Sequence, residues 1–409
     1  MRILIFSDHF YPEPSAPAAH VYERAALWVQ EGHSVTVITA APNFPEGRVH
    51  AGYRNAWRTV ENLHGIRVVR VKTFIVRNEG FVLRILDYLS YAISALLQSF
   101  REPYAEVVLS SSPHLFVPVA GVVHARLRGI PHVFELRDLW PASIAANTSL
   151  GKRRVIHWLE RLELWLYRNS ARVMAFTESF RRNLVERGIP ADRVDVVVNG
   201  ANLDLFEPPT GRDEAIEAEY HLQGRFVVGY LGTLGLSQGL MNVLDAAERL
   251  RGSRATFLFV GVGAAKDELE RSARARGLDN VVFVPRQPKE LMPRFWSVCD
   301  AAMVHLKDDP VFATVIPSKI FEAMAVGRPI LYCGPAGDGS EIVERHAAGL
   351  WIPAADPAGL AAAVRRLMED PELAERLATA SRDAAPSYSR RRQAEASLAV
   401  LQRAVAGKT

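Results

Sequence analysis

The stretch Thr314-Val315-Ile316-Pro317-Ser318-Lys319-Ile320-Phe321-Glu322 gathers residue types that can hold a phosphorylated ligand. Pro317-Ser318 has the chemistry of a helix start. The first N–H groups of a helix lack partners within it, and the positive end of the helix dipole favours an anion. Lys319 falls in that first turn, where a cation is mildly unfavourable for the helix itself. A residue that weakens its own helix makes sense beside a phosphate. Glu322 follows three residues later, on the same face one turn deeper. A lysine for a diphosphate and a carboxylate for a pair of ribose hydroxyls make a nucleotide clamp. A solvated first turn with an i,i+3 ion pair accounts for the same two residues equally well.

Fainter signals lie elsewhere. Gly232, Thr233 and Gln238 follow a strong apolar run, and Gly261 and Gly263 follow another, where a tight strand–helix turn is explanation enough. Arg286-Gln287 could bracket a base through backbone groups. Near the start, Pro12 to Ala16, with Pro14 and Ser15 between, is either a loop that closes over a ligand or an ordinary turn. Arg137-Asp138 and Glu178 each follow a strand-like run, and a plain salt bridge is the competing account of the first pair. His20, His114 and His305 lack metal-ligand spacing and read as core or surface histidines.

The elements that must position these residues alternate between strand and helix. Ile3–Phe6, Val35–Thr39, Val107–Ser110, Val133–Leu136, Arg172–Phe176 and Val194–Val198 read as strands, with helical spacing over Ala18–Glu31 and Val117–Leu127. Short β-branched runs separated by helices indicate a parallel sheet covered on both faces, which binds ligands at the carboxyl ends of its strands. The pattern restarts at Phe226–Leu231 and continues through Thr256–Val260, Val281–Val284, Ala301–His305 and Pro329–Tyr332. Asn199–Pro209, rich in turn formers, is the expected linker. Val82–Phe100 reads as a wide-faced amphipathic helix, with Arg84, Asp87, Ser94 and Gln98 in a narrow polar stripe amid Leu83, Leu86, Leu89, Ile93, Leu96 and Leu97. Beside the basic Arg67, Arg70, Lys72 and Arg77 it could rest on a membrane; burial in a core explains the apolar face as well. Trp158 and Trp165, after Lys152-Arg153-Arg154, leave the same choice open.

A chain of 409 residues favours two or three domains. With 49% hydrophobic and 23% charged residues it has the balance of a folded protein. The net charge of +4 gives no case for a nucleic-acid partner. Residues 1–205 hold 24 Lys and Arg against 19 Asp and Glu, a mild excess that suits a phosphorylated partner or an anionic membrane surface and that ordinary surface scatter explains equally well. Cys299 and Cys333, the only cysteines, form no disulfide framework and point to a reducing compartment. The opening run reads as a strand rather than a signal peptide, and no apolar stretch reaches the roughly 18–20 residues of a membrane span. The expectation is a cytoplasmic protein.

The Thr314–Pro329 segment resembles the donor-binding signature of family 4 glycosyltransferases, retaining enzymes of the GT-B fold. The resemblance extends through Asp8-His9-Phe10-Tyr11-Pro12-Glu13-Pro14, Gly32–Thr39, Pro42–Pro45, Glu135–Pro141, Thr177-Glu178-Ser179, Val198–Phe206, Gly229–Thr233 and Ser237-Gln238-Gly239, in order over nearly the whole chain. Within that family it most resembles the subgroup that builds bacterial surface polysaccharides, including transferases of N-acetylated amino sugars such as N-acetylfucosamine. The resemblance implies an α/β, GT-B architecture of two Rossmann-like domains facing across a cleft. Residues 1–203 would bind the acceptor and residues 204–386 the nucleotide-sugar donor, with a C-terminal helix (387–409) crossing back to the first domain. It implies transfer from a UDP-sugar to a glycan or polyprenyl-diphosphate-linked acceptor, at the inner face of the plasma membrane if the protein touches one. Lys319, Glu322, Arg137 and Asp138 would be catalytic. Gly232, Thr233, Gln238, Gly261, Gly263, Arg286 and Thr314 to Ser318 would line the donor, and Pro14, Ser15, Ala16 and Glu178 the acceptor side.

Two departures from the broad family stand out. Thr314 replaces a glutamate that holds the donor sugar, and Thr233 and Gln238 replace an arginine and a lysine that grip the diphosphate. Lys319 is then the main source of positive charge. The retaining reaction implied is front-face substitution, which needs positioning and leaving-group stabilisation more than a strong base. No two aspartates are separated by one residue, so the aspartate-x-aspartate metal site of the other large glycosyltransferase fold is absent and no metal or other cofactor is expected. Two other readings compete: a nucleotide-sugar epimerase or hydrolase on the same fold, and a non-catalytic two-lobed sugar-binding protein. The latter normally requires export. A dinucleotide-dependent dehydrogenase is disfavoured because the first strand leads into Asp8–Pro14 and not a glycine-rich turn.

Overall fold

The computed structural model describes residues 1–76, 81–112, 115–139 and 153–407, with no account of the side chains at 81, 82 and 153–155. Arg77, His114, Trp140, Pro141 and Lys152 therefore lie outside the described residues, as do the side chains of Arg153 and Arg154. The chain forms two units, one of Met1–Val198 with the chain from Gln393 onward, the other Asn199–Arg392.

Unit 1 runs β1 (Arg2–Phe6), α1 (Ala16–Gln30), β2 (Ser34–Ala40), β3 (Arg58–Leu63), β4 (Ile66–Val71), α2 (Phe81–Ser99), β5 (Val107–Ser111), α3 (Phe116–Arg128), β6 (His132–Leu136), α4 (Arg153–Arg168), β7 (Arg172–Ala175), α5 (Glu178–Glu186) and β8 (Val194–Val196). The sheet order is β3-β4-β2-β1-β5-β6-β7-β8. Every pair is parallel except β3 with β4. That pair was not anticipated from the sequence: His64 (φ 50°) and Gly65 (φ 85°) form the two-residue turn of a hairpin. Central strands such as β1 and β5 are buried on both faces, which is why they read as continuous apolar runs. On one face Val21, Ala25 and Trp28 of α1 pack with strand residues; on the other, Tyr91, Ala92 and Ala95 of α2 pack with Phe116, Val117 and Ala120 of α3. At the end of β6, buried Glu135 is held by Arg24 and by His20 Nε2 at 3.3 Å. Burial opposes ionisation of Glu135, but Arg24 and His20 outweigh it and keep the carboxyl well below its usual range. His20 is thus a core histidine that ties α1 to β6.

Unit 2 runs α6 (Glu214–Glu219), β9 (Phe226–Leu231), α7 (Met241–Arg249), β10 (Ala255–Val260), α8 (Lys266–Ala275), β11 (Val281–Val284), α9 (Met292–Ser297), β12 (Ala301–His305), α10 (Lys319–Ala325), β13 (Ile330–Gly334), α11 (Asp338–Arg345), β14 (Gly349–Pro353), α12 (Pro357–Glu369) and α13 (Pro371–Ala384). Its six strands are all parallel, in the order β11-β10-β9-β12-β13-β14. Residues of α7, α8 and α12 supply one face of its core.

The units part between Val198 and Asn199, five residues before the expected boundary, because Ala201 belongs with the second unit. Ala201 N–H donates to Tyr388 O (2.9 Å) and Arg390 N–H to Ala201 O (2.8 Å), so the outgoing and returning chains run side by side. A Cβ on Gly200 would overlap the Tyr388 carbonyl oxygen, which accounts for the glycine in Asn199-Gly200. The last helix, α14 (Arg390–Ala406), belongs to unit 1 from Gln393 on; Leu398 and Leu401 enter its core and Trp28 Nε1 donates to Ala394 O at 2.9 Å. Among the described residues no helix is long and apolar enough to cross a membrane.

Candidate functional site

In unit 2, Gly232, Gln238, Gly261, Gly263 and Lys319 gather at the carboxyl ends of β9, β10 and β12. Tyr230, fully buried near the end of β9, donates its hydroxyl to Thr233 O at 2.9 Å. Lys319, the first residue of α10, crosses to that spot, with Nζ 4.9 Å from the Tyr230 ring centre. Burial raises the Tyr230 phenol pKa, and the charge of Lys319 and a hydrogen bond to it work against that rise. Gly232 makes the approach possible: a Cβ there would sit 2.8 Å from Lys319 Cε and 2.9 Å from Nζ, and its φ of +133° disfavours any other residue. An ammonium group therefore lies against half-buried main chain at a strand terminus, within unit 2.

The glycine pair beyond β10 has a structural account. A Cβ on Gly261 would overlap the Gly232 carbonyl oxygen, and one on Gly263 would overlap that of Leu234. The two loops are also joined by hydrogen bonds from Gly232 N–H to Val260 O and from Leu234 N–H to Val262 O. Gly261 and Gly263 therefore let the loops touch. Gln238 ends a 3-10 turn (Leu236–Gln238), and its carbonyl accepts from His305 Nδ1 at 2.6 Å. Burial drives the His305 pKa down to about 4, so the ring is neutral and serves as a strut between this turn and β12. Gln238 Oε1 is buried with no protein partner. Lys307, which the sequence reading did not single out, joins the same turn: its N–H donates to Ser237 O (3.0 Å) and its Cγ lies 3.0 Å from where a Gly239 Cβ would be.

Thr314 closes a 3-10 turn (Pro310–Thr314), with Oγ1 donating to Val311 O at 2.9 Å, and Val315 is extended. Ser318 already has helical backbone angles and its side chain makes no cap, so the expected capping chemistry at Pro317-Ser318 is not realised. Glu322 is half-buried one turn after Lys319. Arg286 is exposed just past β11.

The unit 1 residues have more ordinary partners. Ser15 is the N-cap of α1, accepting from Ala18 N–H at 3.3 Å; Pro14 and Ala16 flank it. Thr177 caps α5, and Glu178 is an exposed surface partner of Arg181 at 2.9 Å. Arg137 N–H donates to Ser112 Oγ (2.9 Å), with its guanidinium 5.0 Å from the Phe176 ring centre. Burial raises the Asp138 carboxyl, against the pull of Arg137.

One polar cluster of unit 1 was not singled out from the sequence as a site. Glu13 is buried, with Oε1 accepting from the N–H groups of Asn43 (2.8 Å) and Phe44 (3.1 Å) and Oε2 2.6 Å from His9 Nδ1. His9 Nε2 lies 3.5 Å from Asp8. Burial pulls the His9 imidazole down, but Asp8, the hydrogen bond to Glu13 and the charges of Glu13 and Asp87 lift it to about 9. Asp87, on α2, is raised to about 7 by burial and by Asp8 and Glu13. The spacing of His9 and Glu13 carried no signal because the segment is a loop. Among the described residues no group of three or more His, Cys, Asp and Glu could hold a metal ion.

Comparison with known proteins adds family context. Residues 15–200 match the family described as glycosyl transferase 4-like domain, and residues 212–384 match glycosyl transferases group 1. A putative colanic acid biosynthesis glycosyl transferase of Escherichia coli is 28% identical over 334 residues, covering 80% of this chain and 82% of that protein. Alpha-D-kanosaminyltransferase of Streptomyces kanamyceticus is 26% identical over 261 residues, 62% of this chain and 65% of its own. The crystal structure of Anabaena HepE in complex with UDP superimposes with a TM-score of 0.74 at 17% identity, covering 98% of this chain and 100% of that one.

Proposed function

We propose, from the premise that this chain belongs to the glycosyltransferases of the GT-B fold, that it moves an N-acetylated hexosamine from a UDP-sugar to an acceptor hydroxyl with retention of anomeric configuration. The acceptor is a growing glycan or a polyprenyl-diphosphate-linked sugar of a surface polysaccharide. The observation that carries the reading is the Lys319 ammonium seated against Gly232 and Tyr230. A diphosphate laid over the Gly232 main chain meets a fixed positive charge on a short tether, with Lys307 as a second cation on the neighbouring loop. Glu322 takes the ribose hydroxyls, and the Thr314–Ser318 segment takes the sugar. Arg137 and Asp138 act from the acceptor domain.

The chemistry follows from that charge. The bond between the anomeric carbon and the diphosphate oxygen breaks, the acceptor oxygen bonds on the same face, and its proton passes to the departing phosphate oxygen. Negative charge builds on the leaving group, where a preorganised ammonium stabilises it without a metal ion. The roles named for the relatives, putative colanic acid biosynthesis and kanosaminyl transfer, support a polysaccharide setting and an amino-sugar donor. The test is incubation with UDP-sugars and candidate acceptors, following UDP release. Acceptor-dependent release is expected; equal release without acceptor makes the protein a hydrolase.

A further inference from the structure

We infer that the outer face of α2 is a docking surface for an anionic lipid bilayer. The helix is inside out relative to a core-packing one. Its apolar residues Leu83, Leu86, Leu89, Ile93 and Leu97 are exposed, with Ile93 at 59% and Leu97 at 61%, while its polar residues Ser94 and Gln98 are buried against the fold. Burial in a core, one of the two readings open from the sequence, does not apply to this stripe. Positions 83, 86, 93 and 97 lie on one face, a ridge about 21 Å long at 1.5 Å per residue. Ridges of that kind lie flat in a membrane interface.

The surrounding charge selects the occupant. Arg67 and Arg70 drop out, since Arg67 is paired with Glu102 and Arg70 is buried on Glu61 and the Tyr11 carbonyl. Exposed aromatic rings take their place, each with a cation on its face. Lys72 Nζ lies 5.0 Å from the Trp57 ring, and the segment carrying it is tied to the ridge where Phe74 N–H donates to Ser90 Oγ at 2.7 Å. At the far end the Arg128 guanidinium lies 5.3 Å from the exposed Phe100 ring. Exposed aromatic rings with cations to meet lipid phosphates match an interface between water and an anionic leaflet. A protein partner would require acidic complements, and nothing in this stripe calls for a shaped counterpart. The first turns of α2 sit near the carboxyl ends of β1 and β2, since Ile85 and Tyr88 pack on the cluster that holds Phe6 and Ile38, and Tyr91 donates to Ile38 O at 2.8 Å. The use of the surface, presenting a lipid-linked acceptor to that sheet edge, rests on the proposed function; lipid binding itself does not.

The test is co-sedimentation of the full chain with vesicles of phosphatidylcholine containing about one third phosphatidylglycerol, against phosphatidylcholine alone. Binding to the anionic vesicles, weakened by added salt, is expected. The double variant I93S/L97S should bind roughly tenfold less tightly with unchanged circular dichroism, since both side chains are exposed. Absence of binding to anionic vesicles, or equal binding by the variant, overturns the inference. So does a dimer in vesicle-free solution that I93S/L97S abolishes, which would assign the ridge to a second copy of the chain. Because sedimentation reads no turnover, this outcome is separate from that of the transfer assay.

Discussion

Replacing Lys319 with alanine separates phosphate recognition from nucleoside recognition. In the free protein the ammonium rests on the Tyr230 ring at 4.9 Å, a contact worth about 1 kcal/mol when partly desolvated. Its loss should lower the thermal midpoint of unit 2 by about 2–4 °C. In the complex the same ammonium would make a charge-assisted hydrogen bond to the diphosphate, worth about 1.5–3 kcal/mol. Less the cation–π contact given up on binding, the net loss for UDP centres on about 1.3 kcal/mol, or about eightfold in Kd. Uridine, which carries no phosphate, should lose less than about threefold by the same arithmetic. Isothermal titration calorimetry of both ligands on wild type and Lys319→Ala measures the difference. A parallel loss for uridine and UDP, or a UDP affinity within about threefold of wild type, refutes the phosphate role.

Three further outcomes are expected. Glu322→Ala should weaken uridine and UDP alike, by about 1.5–3 kcal/mol for lost hydrogen bonds to a charged group; unchanged uridine binding by calorimetry would leave the residue a purely structural part. Gly261→Ala, whose new Cβ would overlap the Gly232 carbonyl oxygen at a φ of +152°, should destabilise unit 2 by about 2–4 kcal/mol, and a denaturation midpoint equal to wild type would contradict the loop contact. His9 titrates near 9 folded against about 6.5 unfolded, so its contribution is complete below the lower value and is lost as pH rises through the upper one. Thermal midpoints of wild type should therefore fall between about pH 6.5 and 9, and Glu13→Gln should flatten that decline; an identical slope in the variant would remove Glu13 as its cause.

How much of this was legible in the chain depended on whether the governing contacts were local. Buried parallel strands such as Phe226–Leu231 announce themselves as apolar runs, so the two α/β halves could be read directly. The β3–β4 hairpin escaped because His64-Gly65 is a less familiar two-residue turn than Asn-Gly, although both residues adopt positive φ. Lys319 and Gly232 were both singled out from sequence, but their contact could not be, since nearly ninety positions separate them. Glu135 appeared as part of a motif, whereas its clamp by Arg24 and His20 depends on sheet order. The amphipathicity of α2 was plain, but periodicity shows only that two faces differ. Which one turns outward was decided by Tyr91, Ala92 and Ala95, the small and aromatic residues that fit against α3.

The route of α14 has a consequence for biosynthesis. Leu398 and Leu401 fill a seam among unit 1 residues that are made before them, and about 200 residues of another unit are made in between. At ordinary elongation rates that interval lasts roughly 10–40 s. Throughout it the nascent amino-terminal half carries an open apolar groove beside Trp28, while the later-made half can already close. Of the two units, the one begun earlier is completed later, and holdase chaperones have the longer opportunity there.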